Sequence, residues 1–140
     1  GADMGIGKDL DKLALNQGVQ MHRLGHVDDK IYRSALAAAD VLVLPSEYEA
    51  FGIVLLEAAA AKTAVVGTKV GGIPEAMADG ENGLLVEYGD ASALSESIFS
   101  ILEDDLFRKE LSSNGRNFAK KFSWSKIIDL IENEYSSILA

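Results

Sequence analysis

Short apolar runs alternate along the chain with segments in which apolar residues recur every three or four positions. The first pattern predicts β-strands and the second predicts amphipathic helices. Strands are predicted at residues 19–24, 41–44, 64–66 and 83–86. The second and third of these runs contain no polar residue, which is typical of parallel strands covered on both faces.

Helical periodicity fills the gaps between these strands, at residues 8–16, 29–39, 52–62 and 74–78. After residue 86 the pattern is helical throughout. Short polar side chains can accept hydrogen bonds from the first amides of a helix. They predict helix starts after Asp28, Asp90, Asp104 or Asp105, and Ser123. The apolar positions of the last three helices are Leu94, Ile98, Ile101 and Leu102, then Leu111, Phe118 and Phe122, then Trp124, Ile127, Ile128, Ile131, Tyr135 and Ile138.

Alternating strands and helices predict an α/β fold with a parallel sheet, followed by a helical tail, in a single domain over residues 1–140. Ligands of such folds bind beyond the carboxyl ends of the strands. The strand-to-helix loops at residues 25–29, 45–51 and 68–74 are therefore expected to line one crevice.

Composition excludes several classes of function. The net charge of −9 argues against a nucleic-acid partner, which requires a basic face. The absence of cysteine excludes disulfides and thiol chemistry, and two histidines do not make a zinc site of the usual kind. No apolar run approaches the roughly 20 residues that span a bilayer.

The most informative stretch is the acidic loop and helix that follow residues 41–44. Glu49 stands in the loop, and Glu57 stands within a helix that is otherwise apolar. A buried carboxylate is costly unless it is paired, so the two acids predict a site for a ligand rich in hydroxyl groups. The alternative is that Glu57 lies on a thin exposed stripe and Glu49 is a solvated loop residue. Gly52 would let a ligand approach the helix N-terminus, which attracts anions.

Two further features allow two interpretations each. Gly71 and Gly72 precede Pro74, which is typical of a plain turn, although such a loop could also close over a phosphate or a sugar. A basic cluster on the helical tail predicts either a solvated helix face or a patch for an anionic membrane surface; it comprises Arg108, Lys109, Arg116, Lys120, Lys121 and Lys126.

Several segments together resemble a known family. Residues 39–46, followed by residues 49–58 with Glu49 and Glu57, closely resemble the E-x(7)-E signature of retaining GT-B glycosyltransferases. Residues 65–68, 71–75 and 79–86 match the segments that follow this signature, and residues 122–124 match the start of the last helix. The resemblance covers nearly the whole chain. It implies a Rossmann-like sheet and the C-terminal, donor-binding half of a group 1 glycosyltransferase.

The resemblance also implies roles for individual residues. Glu49 would contact the donor sugar, and Glu57 would bind the ribose diol. Backbone amides near the helix start would hold sugar and phosphate, which implicates Phe51, Gly52 and Ile53, with Val54 beside them. Val27 and Asp29 are further candidates, near the base. The partner is a nucleotide-diphospho-sugar, which is a substrate, and neither a metal nor another cofactor is expected.

Some family features differ or are missing. Ala50 stands where the family usually has glycine, and residues 62–64 replace the usual Gly-x-Pro, so that turn is expected to differ. The N-terminal acceptor domain, the first strands of the donor domain and their pyrophosphate-binding Arg and Lys are not in these residues. The chain is therefore expected to be a truncated, inactive part of a cytoplasmic bacterial or archaeal hexosyltransferase. Peripheral membrane association of that parent is a further expectation.

Two other classes of function stay open. The chain could be a non-catalytic α/β interaction module that kept the fold and lost the chemistry, which Ala50 and the short length would favour. It could also keep the GT-B framework for a different reaction, as in sugar epimerases or phosphorylases. A lysine placed for pyridoxal phosphate would favour a phosphorylase, and no clear candidate is present.

Overall fold

The computed structural model describes residues 6–139. The chain divides into two compact units between Ser34 and Ala35, and the single domain over residues 1–140 stays a prediction. The first unit contains α1 (Gly7–Asn16) and the start of α2 (Asp29–Ala38). Both helices were predicted. The carboxylate of Asp28 accepts a hydrogen bond from the Ile31 amide at 2.8 Å, which confirms the predicted cap.

The strand predicted at residues 19–24 is wrong. These residues form no strand, and their side chains are exposed, including Val19 and Leu24 at 60% each. A strand is defined by its hydrogen-bonded neighbour, and the sheet among the described residues contains no strand that pairs with this segment. An apolar run alone does not supply that partner.

The second unit is built on a three-stranded parallel sheet in the order β1 (Val41–Leu44), β2 (Ala64–Thr68), β3 (Leu84–Val86). Val41 pairs with Ala64, and Val66 pairs with Leu84. The three remaining strand predictions are confirmed. The central strand β2 is buried at every residue, whereas β1 is only half-buried because it lies at the edge of this sheet.

Alternating residues of β2 face two apolar layers, as expected for a covered parallel sheet. Val66 belongs to a cluster with Ile101 and Leu111, which come from the helices on one face. On the other face, a Cβ at Gly67 would lie 3.1 Å from Ile73 and 3.4 Å from Leu55. The core of this unit therefore holds the carboxyl ends of the strands and the start of the following helix in fixed positions.

The helices of this unit confirm most of the predicted pattern. They are α3 (Ile53–Ala60), α4 (Ile73–Ala76), α5 (Ala91–Glu103), α6 (Asp105–Ala119) and α7 (Trp124–Leu139), with a 3-10 turn at Lys120–Phe122. Asp90 accepts from the Ala93 amide and Asp104 from the Leu106 and Phe107 amides, so both side chains cap helices as predicted. Leu102 is 43% exposed, so its predicted inward position is wrong; the core cluster takes Leu94, Ile98 and Ile101 from α5 and does not include Leu102.

The turn that ends α3 has a lysine in the left-handed conformation for which glycine is the usual residue. Lys62 lies in the left-handed region at φ 69°. The Lys62 amide donates to the Ala59 carbonyl and the Thr63 amide donates to the Ala58 carbonyl, which is the pattern of a Schellman motif. The expectation that this turn differs from its counterpart in the family stays a prediction.

The last helix, α7, carries its predicted apolar positions along one exposed face. Trp124 is 81% exposed and Ile138 is 77% exposed. Among residues 6–139, no helix is long and apolar enough to cross a membrane.

Candidate functional site

The candidate site lies where β1 and β2 end and their following loops meet. The acidic loop, residues 45–51, follows β1, and the β2–α4 turn, residues 69–72, follows β2. The Thr68 hydroxyl donates to the Ser46 carbonyl at 2.6 Å, and the Gly72 amide donates to the Glu49 carbonyl at 3.2 Å. Two of the three loops predicted to line one crevice are therefore in contact, while the third, residues 25–29, belongs to the first unit.

Gly52 connects the acidic loop to α3 and is the N-cap of that helix. Its φ of 83° lies in the left-handed region, where glycine is strongly favoured. A Cβ here would lie 3.1 Å from Leu55 Cδ1 and 3.7 Å from Glu49 Cγ. No side chain caps this N-terminus, so the first amides of α3, from Ile53 and Val54, face a position that suits an anion.

Glu49 is half-buried, whereas its neighbours Tyr48 and Ala50 are exposed. Because its Cγ lies close to Gly52, the side chain starts beside the α3 N-terminus. The residue at the family's usual glycine position, Ala50, does not have a positive φ, since Lys62 is the one non-glycine residue with that conformation in the described range. The Ala50 methyl group is therefore compatible with the backbone of the loop.

Glu57 does not lie in a buried environment, so that expectation is wrong. It is exposed, as are Ile53 (65%) and Ala60 on the same side of α3. The buried residues of α3, Leu55, Ala58 and Ala59, lie on the remaining sides. The almost wholly apolar sequence predicted that every face of α3 would be buried. The helix instead packs against the sheet and α6 and leaves one face uncovered.

That uncovered face forms one wall of a groove of about 770 Å³. Phe51, Ile53 and Glu57 line it from the acidic loop and α3. The opposite wall comes from the end of α6, the 3-10 turn and the start of α7 and is lined by Arg116, Ala119, Lys120, Phe122, Ser123, Trp124 and Ile127. The ring of Phe51 lies 5.6 Å from that of Phe122, at a tilted angle that aromatic pairs prefer.

Arg116 and Lys120 were assigned from the sequence to a basic cluster on the helical tail, and their place in this groove was missed. They are four residues apart, so they share one side of the helical segment. That spacing was readable from the sequence. Which face of α3 they approach depends on how α6 packs, which no local pattern encodes.

The remaining candidates lie elsewhere. Val54 is half-buried in the first turn of α3. Val27 and Asp29 belong to the first unit, where Val27 is half-buried and Asp29 is exposed. The Asp29 carboxylate accepts from the Arg33 guanidinium at 3.3 Å, one helical turn further along α2.

A smaller cavity of about 230 Å³ lies at the carboxyl ends of all three strands. The sequence predicted a crevice at these ends but did not predict that the loop after β3 would line it. Pro45, Thr68 and Val86 form its floor, and Tyr88 lies on its rim. The negative charge of Glu47 raises the pKa of Tyr88 above its usual value, with smaller contributions from burial and from a hydrogen bond to Glu47. The acidic loop thus contacts the loop after β3 as well as the β2–α4 turn.

Metal-ligating side chains do not converge in the described part of the chain. Within residues 6–139, no group of three or more His, Asp or Glu residues is arranged to hold a metal ion.

Comparison with known proteins identifies the fold. The family "Glycosyl transferases group 1" matches residues 6–118. An uncharacterized glycosyltransferase of Methanocaldococcus jannaschii is 38% identical over 105 residues, covering 75% of this chain and 30% of that protein. Alpha-maltose-1-phosphate synthase of Mycolicibacterium smegmatis is 44% identical over 115 residues, covering 77% of this chain and 30% of that protein.

Among solved structures, the Anabaena protein HepE in complex with UDP is similar with a TM-score of 0.86 and 29% identity, over 97% of this chain and 39% of that one. The same protein has been solved with UDP-glucose. The α/β architecture, a parallel sheet flanked by helices, is therefore that of GT-B glycosyltransferases. The chain spans about a third of the length of these relatives.

Proposed function

We propose that this chain, which belongs to the glycosyltransferase group 1 family, is the donor-binding part of a retaining enzyme that transfers a sugar from a nucleotide-diphospho-sugar to an acceptor. The observation that carries this proposal is the position of Glu49, half-buried beside the uncapped N-terminus of α3. A carboxylate and a helix N-terminus side by side suit a ligand with hydroxyl groups and a phosphate. The UDP-glucose complex of HepE supports a nucleotide sugar as that ligand.

In this proposal, each residue near the α3 N-terminus has a separate task. The Glu49 carboxylate accepts hydrogen bonds from the donor sugar. The amides of Phe51, Gly52 and Ile53, with Val54 beside them, hold sugar and phosphate oxygens, because the first amides of a helix have no partner within it. No metal ion is assigned to this task.

Glu57 accepts hydrogen bonds from the ribose diol. Its position on the uncovered face of α3 supports this role, because a ligand in the groove can reach it. Arg116 and Lys120 on the opposite wall add positive charge, which favours an anionic ligand. Val27 and Asp29 are candidates for contacts to the base.

The proposed reaction breaks the bond between the sugar's anomeric carbon and the phosphate oxygen and forms a bond to the acceptor oxygen with the same configuration. The nucleoside diphosphate and the proton of the acceptor hydroxyl are released, and the sugar is a hexose in the expected case. Because the chain spans about a third of its relatives, acceptor contacts and cations for the pyrophosphate would come from outside these residues. We therefore expect no transfer by the 140 residues alone, and a cytoplasmic location stays a prediction.

The test uses the full-length product of the gene that encodes these residues. Calorimetric titrations with UDP, UDP-glucose, GDP-mannose and ADP-glucose identify the nucleotide. Glu57→Gln should weaken the nucleotide and its sugar conjugate equally, by about 10- to 100-fold, since hydrogen bonds to a charged group contribute about 1.5–3 kcal/mol. Glu49→Gln should lower turnover much more than it weakens the free nucleotide.

Glu103→Gln is the matched control, because Glu103 is an exposed carboxylate at the end of α5, outside the groove. It should change neither measurement. Unchanged nucleotide affinity in Glu57→Gln would remove the ribose assignment, and wild-type turnover in Glu49→Gln would remove the sugar assignment. A wild-type protein that binds none of the four compounds would favour the non-catalytic interaction module.

A further inference from the structure

Backbone hydrogen bonds attach both ends of the β2–α4 turn to neighbouring elements. The Lys69 amide donates to the Val86 carbonyl of β3 at 2.8 Å, and the Ile73 amide donates to the Val70 carbonyl at 3.1 Å. Gly72 is buried at the end of this turn. The turn is therefore attached to the sheet on one side and to α4 on the other, which gives it a fixed position.

This turn lies directly against the backbone of the acidic loop. A Cβ on Gly71 would overlap the Glu49 carbonyl oxygen, and a Cβ on Gly72 would overlap the Ala50 carbonyl oxygen. The two glycines leave just enough room for the Gly72 amide to reach the Glu49 carbonyl at 3.2 Å. Glycine is needed at Gly72 for space and not for conformation, since its φ of −88° is open to any residue.

The backbone of Glu49 is thus held by a hydrogen bond from the β2–α4 turn. Gly72 binds its carbonyl, and its side chain leaves the backbone beside Gly52. Ser46, earlier in the same loop, is fixed by the Thr68 hydroxyl. The flanking residue Tyr48 makes no comparable approach and is 83% exposed. The β2–α4 turn thus binds the backbone of the residue to which the proposed function assigns the donor sugar.

We propose that Gly72, together with Gly71, is a positioning residue for Glu49. The β2–α4 turn sets where the Glu49 backbone lies and thereby sets the distance between its carboxylate and the donor sugar. This inference rests on the proposed function of Glu49. It assigns the Gly-Gly pair a part in sugar recognition without any contact to the sugar.

The test compares two substitutions that each add a methyl group at a crowded glycine, one beside the acidic loop and one in the core. Gly72→Ala pushes against the acidic loop. Gly83→Ala pushes against Met77 and Val65 in the core, away from Glu49. In the full-length protein, Gly72→Ala should lower turnover of UDP-glucose by about 10- to 100-fold, as expected for a misplaced catalytic contact, and change UDP affinity less than about twofold. Gly83→Ala should lower the melting temperature and leave the ratio of UDP to UDP-glucose affinity unchanged.

A double-mutant cycle separates positioning from a general loss of structure. If Gly72 acts through Glu49, Gly72→Ala should add almost nothing to the turnover loss of Glu49→Gln, because residues that act as one unit are not additive. Full additivity would overturn the inference, and so would wild-type turnover in Gly72→Ala. If the wild type binds UDP and UDP-glucose but Gly72→Ala behaves like Gly83→Ala, only the positioning role is refuted. If the wild type binds no nucleotide sugar, the proposed function itself is refuted.

If Gly72→Ala does not fold, Thr68→Val is tested in its place. It removes the hydrogen bond to Ser46 without adding volume near Glu49. A turnover loss of about 3- to 10-fold at unchanged UDP affinity supports the positioning role of the turn. Unchanged turnover overturns it.

Discussion

The two ends of α3 both use a residue in the left-handed region, but the two residues have different surroundings. At the start, Gly52 has a φ of 83° and is enclosed by Leu55, Ile73 and Glu49. At the end, Lys62 has a φ of 69°, and its side chain is exposed. The left-handed conformation is adopted by glycine where neighbouring side chains lie close and by lysine where the side chain is exposed.

This difference separates two reasons for glycine at a turn. A left-handed conformation costs a residue with a side chain about 1–2 kcal/mol, which a stable helix can tolerate. A Cβ that meets packed neighbours adds a second cost, and at the start of α3 those neighbours include the proposed sugar-binding residue. At the start of α3, the left-handed backbone and the packed neighbours both restrict which residue can occupy the turn. At the end of α3, only the left-handed backbone does.

The largest expected effect comes from adding a side chain at the enclosed end. Gly52→Ala should lower the free energy of unfolding by about 2–4 kcal/mol, because conformational strain and crowding against Leu55 add together. Urea denaturation of the chain measures this loss. Gly89→Ala is the matched control, since Gly89 also has a φ of 83° but a Cβ there would meet nothing within 4 Å.

Gly89→Ala should cost about 1–2 kcal/mol, from strain alone. The difference between the two variants measures the crowding at the start of α3. Equal losses of unfolding free energy in Gly52→Ala and Gly89→Ala would show that the neighbours of Gly52 add no cost to a side chain there. The contrast between the two ends of α3 would then not hold.

Features that depend on neighbouring residues were predictable from the sequence. The caps at Asp28, Asp90 and Asp104 are confirmed because a short polar side chain bonds to amides two or three residues away. The strand proposed at residues 19–24 failed because a strand needs a partner that its own sequence does not contain. The turn at Lys62 is defined by two backbone hydrogen bonds and forms here without glycine.

The candidate site was predictable in its parts and not in its arrangement. The resemblance singled out Glu49 and Glu57, and the parallel topology correctly brought the acidic loop to the β2–α4 turn. The exposure of Glu57 and the approach of Arg116 depend on which face of α3 is covered by α6, and this packing is non-local. The contact between Gly72 and Glu49 is likewise a tertiary event, so the glycine pair looked like an ordinary turn.

An intermediate effect is expected from the buried hydroxyl that follows the open end of α3. Thr63 is 2% exposed, and its hydroxyl donates to the Leu36 carbonyl. Thr63→Val keeps the shape and removes this bond, which should cost about 1–2 kcal/mol in urea denaturation. A loss as large as that of Gly52→Ala would mean that the end of α3 is as constrained as its start. Thr63→Ser keeps the hydroxyl and serves as the control for the bond itself.

The smallest expected effect is a gain in stability at the end of α3. Lys62→Gly removes the strain of a left-handed side chain, although glycine also gains freedom in the unfolded state, so the net stabilisation should be about 0.5–1 kcal/mol. Because the Lys62 side chain is exposed, little packing is lost. Lys62→Ala removes the same side chain but keeps the Cβ, and it should leave the urea midpoint close to that of the wild type. If Lys62→Ala stabilised the chain as much as Lys62→Gly, the gain would come from the lysine side chain, and the left-handed conformation would not be what distinguishes this end of the helix.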